Sequence, residues 1–312
     1  MSFLVIGECV ADIVRAPAGS GGADRVHPGG SPANVAYGLG RLGRDVTLLT
    51  QLADDPTGRL VEEHLTAAGV RVEAGEVPER TPSAVVGLDA QGTATYTFDI
   101  AWTLTAGAPA DLVPAHVHIG SIAAVTAPGA ATVLAETERL RARATVSYDP
   151  NVRPALMGEH GAAVARVERC VALSDLVKAS DEDLAWLYPG EDPRTVADRW
   201  LTFGPVVVLV TRGAAGSLAV TRRETVTADA PPVAVVDTVG AGDSFMSAVL
   251  DTLAGRGREA LGGLGAEDLA ELLRTAGAAA AVTVSRAGAH PPDRAELDAA
   301  RAEFAIRSGR AS

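Results

Sequence analysis

Short apolar runs punctuate the chain, with capped or glycine-closed stretches between them. Phe3 to Gly7, Val117 to Gly120, Thr145 to Tyr148, Asp175 to Ala179, Val206 to Val210 and Val233 to Val236 are predicted strands, and Val46 to Leu49 is a further apolar run. Helices are expected where a capping residue precedes a helical period. One runs from Ser31-Pro32 to about Leu42, with Ser31 as N-cap and Pro32 at the first helical position. A second runs from Asp55-Pro56 to about Ala68, closed by Gly69, and a third from Pro128 to Arg141. Phe245, Val249 and Leu253 continue the pattern up to Gly255, and Ala276 to Ser285 is a small-residue helix suited to close packing. Thr81 to Asp89 and Thr93 to Asp99 alternate instead, around Ala90-Gln91-Gly92, which predicts a hairpin. It interrupts the βα alternation, so it belongs outside the main sheet. The Gly- and Ala-rich stretch from Val14 to His27 is a candidate strand of the same accessory sheet. The pattern therefore predicts an α/β/α sandwich with a mostly parallel sheet and a small β lid.

The densest chemical signal is Asp237-Thr238-Val239-Gly240-Ala241-Gly242-Asp243-Ser244-Phe245, placed between a predicted strand and a helix. Gly240 and Gly242 permit a sharp turn and close approach to a ligand. Free N–H groups and the helix dipole make such a start an anion site. Asp243 then sits where a carboxylate would accept the proton of a hydroxyl attacking the bound anion. An ordinary βα turn with an early aspartate is the plain alternative for three such residues, though not for the whole run.

Other polar points fall at strand ends, where open α/β sheets bind ligands. Asp12 follows the first strand and reads equally as a ligand group or a turn carboxylate. Gly29 and Gly30 precede the capped helix, with Asn34 in its first turn as a polar pocket wall. Asp149-Pro150-Asn151-Val152-Arg153 puts an acid, an amide and a guanidinium at one strand tip, and arginine suits bidentate contacts to phosphate or carboxylate. Gly38-Leu39-Gly40-Arg41-Leu42-Gly43 spells the dinucleotide fingerprint, but a helix precedes it and an apolar run follows. That context is inverted, so these glycines are assigned to helix packing and a C-cap rather than to a nicotinamide cofactor.

Composition narrows the choices. The 312 residues, 47% of them hydrophobic, suffice for one large α/β domain, and two cysteines, Cys9 and Cys170, make no disulfide framework. The net charge of −12 argues against nucleic acid and anionic membranes as partners. No stretch reaches membrane-spanning length and no basic leader precedes Phe3, so a cytoplasmic location is expected. Lys178 is the only lysine, and no glycine precedes it, which excludes a P-loop. Phosphate must be held by backbone N–H groups and arginine.

The run around Gly240 resembles the C-terminal signature of the PfkB (ribokinase-like) sugar kinases. Gly29-Gly30-Ser31-Pro32-Ala33-Asn34 is similar to their N-terminal signature in its fructokinase form, and Asp149 to Arg153 resembles an element of fructokinases and ketodeoxygluconate kinases. The resemblance covers about residues 3 to 300 in the family's order. It implies an ATP- and Mg²⁺-dependent kinase for a small sugar, with Asp243 as base and Gly240, Ala241 and Gly242 as anion hole. Asp12, Gly29, Gly30, Asn34 and Arg153 would hold the sugar. Lys178, Ser180, Thr211, Gly213, Gly216 and Gly288 would line the ATP side, with Asp183 reaching the metal through water. Ser180 and Asp183 stand where relatives carry asparagine and glutamate. Asp237 and Val239 mark a monovalent-cation site, potassium in relatives, whose downstream hydroxyl position is Pro292 here. The lid segments, about 13–27 and 81–102, would cover the sugar and pair two copies as a homodimer, with Tyr96, Phe98 and Trp102 as pocket walls, dimer face or packing. Fructose is the first substrate choice. Thr95 to Asp99 lacks the arginine that fructokinases often carry there, so ketodeoxygluconate, ribose and nucleosides stay open. A sugar-binding regulator on an inactive scaffold is the alternative of another class.

Overall fold

The computed structural model describes residues 1–15, 23–88 and 94–309. Its strands, in chain order, are β1 (Ser2–Ile6), β2 (Val10–Val14), β3 (Arg25–Gly29), β4 (Asp45–Gln51), β5 (Arg71–Glu76), β6 (Ser83–Leu88) and β7 (Ala94–Asp99). They continue as β8 (His116–Gly120), β9 (Thr145–Asp149), β10 (Leu176–Ser180), β11 (Val207–Thr211), β12 (Ser217–Val220) and β13 (Thr225–Ala228). The main sheet has the order β13-β12-β11-β10-β9-β8-β1-β4-β5 and is parallel from β5 to β11, with β12 and β13 antiparallel at one edge.

β1 shows why apolar runs make this sheet. Phe3 and Val5 enter one core while Leu4 and Ile6 enter the other, and each is at most 1% exposed. Parallel strands covered on both faces need no polar side, so they read as continuous hydrophobic segments. Helices Ser31–Arg41, Pro56–Ala67, Ala241–Thr252, Ala266–Val284 and Arg294–Gly309 pack on the first face. Helices Ala130–Leu140, His160–Leu173, Asp181–Leu187 and Pro193–Phe203 cover the second. Both cysteines are buried and free, as the composition implied.

The accessory sheet has the order β3-β2-β6-β7 and forms the lid. β6 and β7 pair antiparallel from Ser83↔Asp99 to Leu88↔Ala94, as the alternation predicted. The Ala90–Gly92 turn and the Tyr96 side chain lie outside the described residues. Three expectations shift. Asp12 sits within lid strand β2, opposite His27 of β3, rather than in a turn after the first strand. Trp102 is no lid residue: it is 2% exposed in the second core and donates to the Ala123 carbonyl at 3.0 Å. Val233 to Val236 is not a strand. Val235 and Val236 are 63% and 65% exposed, and the Val236 and Asp237 N–H groups donate to the Val284 carbonyl instead. Pro231 and Pro232 supply no N–H to a ladder, and β13 already closes that edge. No helix among the described residues is long and apolar enough to cross a membrane.

Candidate active site

Gly240 caps the helix Ala241–Thr252 with φ 75° and ψ 1°, a left-handed conformation that disfavours any side chain. Space forbids one too, because a Cβ there would stand 2.6 Å from the Ala289 Cβ. Asp237 fixes the approach to the turn. It accepts from Gly288 N at 2.8 Å and Val239 N at 3.1 Å, and these two hydrogen bonds hold its carboxyl below the usual range. Gly288, expected on the ATP side, is therefore tied directly to the glycine turn. Ser244 N bonds back to Gly240 O at 2.8 Å, and Ala241 N makes a long bond to Thr238 O. The Gly242 and Asp243 N–H groups lie in the first turn, before any intrahelical acceptor, and face the dipole's positive end.

Asp243 is held from across the cleft. Ser31 Oγ donates to its Oδ1 at 2.6 Å and Asn34 Nδ2 to its Oδ2 at 2.8 Å. Ser31 is thus no N-cap. Gly30, at φ 96°, takes that place, and the hydroxyl is released to the carboxylate. Residues 31, 34 and 38 share one helical face. A Cβ on Gly38 would meet Ser247 Oγ at 2.5 Å, so this glycine lets the two helices close far enough for the hydrogen bonds to form. The misleading glycine motif thereby serves the site through packing.

Beneath the turn lies a buried ion pair, Lys178 Nζ to Asp149 Oδ2 at 2.8 Å, joining the middle of β10 to the end of β9. Burial pushes Asp149 up to about 6 despite the ammonium beside it. Burial alone would lower the Lys178 pKa, but Asp149, Asp183 and Asp243 outweigh it, so the lysine is held above its ordinary value. Ser180 and Asp183 form a capping box: Ser180 N donates to Asp183 Oδ2 at 2.8 Å and Asp183 N to Ser180 Oγ at 3.0 Å. Asp183 Oδ1 also accepts from Val152 N at 2.7 Å, which anchors the strand tip carrying Arg153. Asn151, at φ 36°, donates its N–H to Asp149 Oδ1.

Most of these groups border one cleft of about 1030 Å³ between the strand ends and the lid, but Asp149 and the predicted site residues Asp237 and Gly288 do not line it. Asp12, Gly30, Asn34, Arg153 and Phe98 line the end under the lid. Lys178, Ser180, Asp183, Thr211, Gly213 and Gly216 line the other, with Val239 and the 240–243 turn between. The exposed Val233 and Val235 also border it, which gives the failed strand a place in the site. Thr211 to Gly216 is both hairpin turn and cleft wall, since β11 pairs antiparallel with β12. Gly29 stays behind the surface, where its missing side chain leaves room for the Asp12 carboxylate. Among the described residues, no group of three or more His, Cys, Asp or Glu side chains is arranged to hold a metal.

Sequence reasoning missed Glu8. It borders the cleft yet is 2% exposed, its Oε2 accepting from Ala123 N at 3.1 Å. Its signal was an acid immediately after a strand at the ligand-binding edge. Burial pushes the Glu8 carboxyl well above the usual carboxylate range, to about 7. The folded protein thus holds a proton that the unfolded chain has lost across this window, and stability falls as pH rises through it. Glu8→Gln should remove that slope: between pH 4.5 and 8 its stability relative to wild type should gain at most about 3 kcal/mol, read by urea unfolding.

A family model described as pfkB family carbohydrate kinase matches residues 2–295. A fructokinase of Klebsiella pneumoniae is 36% identical over 265 residues, covering 81% of this chain and 84% of that protein. The structure of a Xylella fastidiosa fructokinase with bound ATP gives a TM-score of 0.83 at 27% identity, covering 97% of this chain and 99% of that one. A double-mutant fructokinase of Vibrio cholerae O395, in fructose, ADP and potassium ion bound form, gives a TM-score of 0.80 at 25% identity, covering 97% of each chain. Fold, glycine turn and family model agree over nearly the whole length, and the chain belongs to the pfkB family of carbohydrate kinases, ATP-dependent phosphotransferases.

Proposed function

We propose that this protein transfers the γ-phosphoryl group of ATP to a hydroxyl of a small sugar, with fructose the first candidate. The observation that carries the reading is the placement of Asp243: a carboxylate fixed by Ser31 and Asn34 beside the free N–H groups of a helix start. Its relatives support the substrate class, since the Klebsiella protein is a fructokinase and the Vibrio structure holds fructose and ADP.

The sugar hydroxyl lies against Asp243. As its oxygen attacks the γ-phosphorus, the proton passes to a carboxylate oxygen. The new O–P bond forms while the bond to the β-phosphate oxygen breaks, and ADP leaves with that electron pair. The Gly242 and Asp243 N–H groups stabilise charge on the phosphoryl oxygens. Asp12, Gly30, Asn34 and Arg153 orient the sugar, while the lid closes over it and excludes water as a competing acceptor. Thr211, Gly213 and Gly216 border the nucleotide's phosphates. Magnesium needs few protein ligands, so it would arrive on those phosphates largely water-bound, with Asp183 reaching it through water. A monovalent cation beside Asp237 and Val239 would brace the turn. The lid's outer face is the proposed homodimer surface.

A panel of sugars with ATP, read by ADP release, tests the assignment. Fructose should give the highest kcat/KM. A preference for ketodeoxygluconate, ribose or a nucleoside would move the substrate within the family, and no release with any sugar would overturn the kinase reading.

A further inference from the structure

Two residues of the cleft wall hold backbone conformations that side chains disfavour. Ser121 has φ 54° and ψ −153°, a region left almost entirely to glycine, and Asn151 has φ 36°. They lie just past the ends of β8 and β9 and are tied together there. Ser121 N donates to the Asp149 carbonyl at 2.9 Å, Asn151 N donates to Asp149 Oδ1 at 3.2 Å, and Asn151 Nδ2 makes a long bond of 3.5 Å to Ser121 Oγ. A glycine would hold the Ser121 backbone without strain. The serine therefore asks for a use of its hydroxyl. That hydroxyl has two further neighbours: the cleft, which Ser121 borders while only 3% exposed, and the Glu8 carboxyl.

Glu8 follows β1, the strand beside β8. Its Oε2 is occupied by Ala123 N at 3.1 Å, and the Ser121 hydroxyl bears on the same carboxyl. Of the titratable groups around it, Arg153 faces it from the tip after β9, and Cys9 adjoins it with a thiol that burial pushes up to about 12. Asp12 lines the same cleft, its own carboxyl raised by burial. The Arg153 guanidinium donates to the Asn151 and Val152 carbonyls rather than pairing with Glu8. A carboxyl so buried keeps its proton up to about pH 7. In that form it is a donor as well as an acceptor.

We propose that Ser121 is a further sugar-binding residue, donating its hydroxyl proton to an oxygen of the acceptor sugar, and that Glu8 is the positioning residue that sets the direction of this hydrogen bond. The proposal rests on the kinase reading and adds a group to its sugar end. Neutral Glu8 donates to Ser121 Oγ, the Asn151 amide approaches the second lone pair, and the serine proton points into the cleft. Ionised Glu8 takes that proton for itself, and the sugar loses its donor. Sugar affinity is therefore fully present below the Glu8 pKa and falls as pH rises through it.

Two variants test this. Ser121→Gly relaxes the backbone, so the protein should fold, and it deletes the hydroxyl. Its KM for fructose at about pH 6 should rise about two- to tenfold, the range for one neutral hydrogen bond, with kcat within about twofold. Glu8→Gln keeps both bonds, its oxygen facing Ala123 N and its amide donating to Ser121 at every pH. Between about pH 6 and 8.5 the wild-type KM should climb about two- to tenfold, while that of Glu8→Gln stays flat. An unchanged KM in Ser121→Gly would overturn the proposal. So would the full wild-type slope in Glu8→Gln, which would assign the titration to another group such as Asp12. Calorimetric fructose binding without ATP reads the same contacts apart from the chemistry. Wild type that binds fructose with this pH dependence but releases no ADP would sink the kinase reading and leave Ser121 and Glu8 in their roles.

Discussion

Asp243→Asn lowers kcat by at least about 10²-fold, the scale for losing a general base, while sugar affinity stays within a few-fold. The substitution preserves shape and volume but removes the proton-accepting group. It also sets a new amide against the Asn34 amide, which donates to Oδ2 at 2.8 Å in the parent protein. Steady-state ADP release and calorimetric sugar binding separate the two quantities. The expected split, turnover lost and binding kept, marks an interaction made in the transition state. A variant with near-normal turnover would remove Asp243 from the chemistry.

Asp149→Ala should be the most destabilising single change at the site. It strands the Lys178 ammonium, 4% exposed, without its partner, and also deprives the Asn151 N–H of an acceptor. Breaking a buried pair from one side costs about 3–5 kcal/mol. Urea unfolding would read this as a lower midpoint. A loss below about 1 kcal/mol, the range of an exposed ion pair, would mean that solvent reaches Lys178 far more freely than its burial indicates.

What the sequence disclosed, and what it hid, follows the range of the interactions involved. β1 and β11 were readable because strands covered on both faces must be apolar at successive positions. The lid hairpin was readable because its residues alternate, and the glycine turn because its conformation needs those residue types locally. Val233 to Val236 misled because a short apolar run has no period of its own, and here two prolines and an occupied sheet edge leave it lining the cleft. The Ser31–Asp243 hydrogen bond joins residues 212 apart and leaves no local trace, so a good cap residue was read as a cap. Lys178 raised the same difficulty. A lone lysine in an apolar strand was visible, but its pairing with Asp149 joins two strands across 29 residues of chain.

On the proposed function, the helix start at Gly240 grips the end of the triphosphate while Asp243 faces the acceptor hydroxyl. A crystal structure with a non-hydrolysable ATP analogue and fructose tests it directly. The terminal phosphate should lie within hydrogen-bonding distance of the Gly242 and Asp243 N–H groups, with a sugar hydroxyl against the Asp243 carboxylate. Phosphates bound elsewhere in the cleft, or an Asp243 side chain turned away from the sugar, would contradict it.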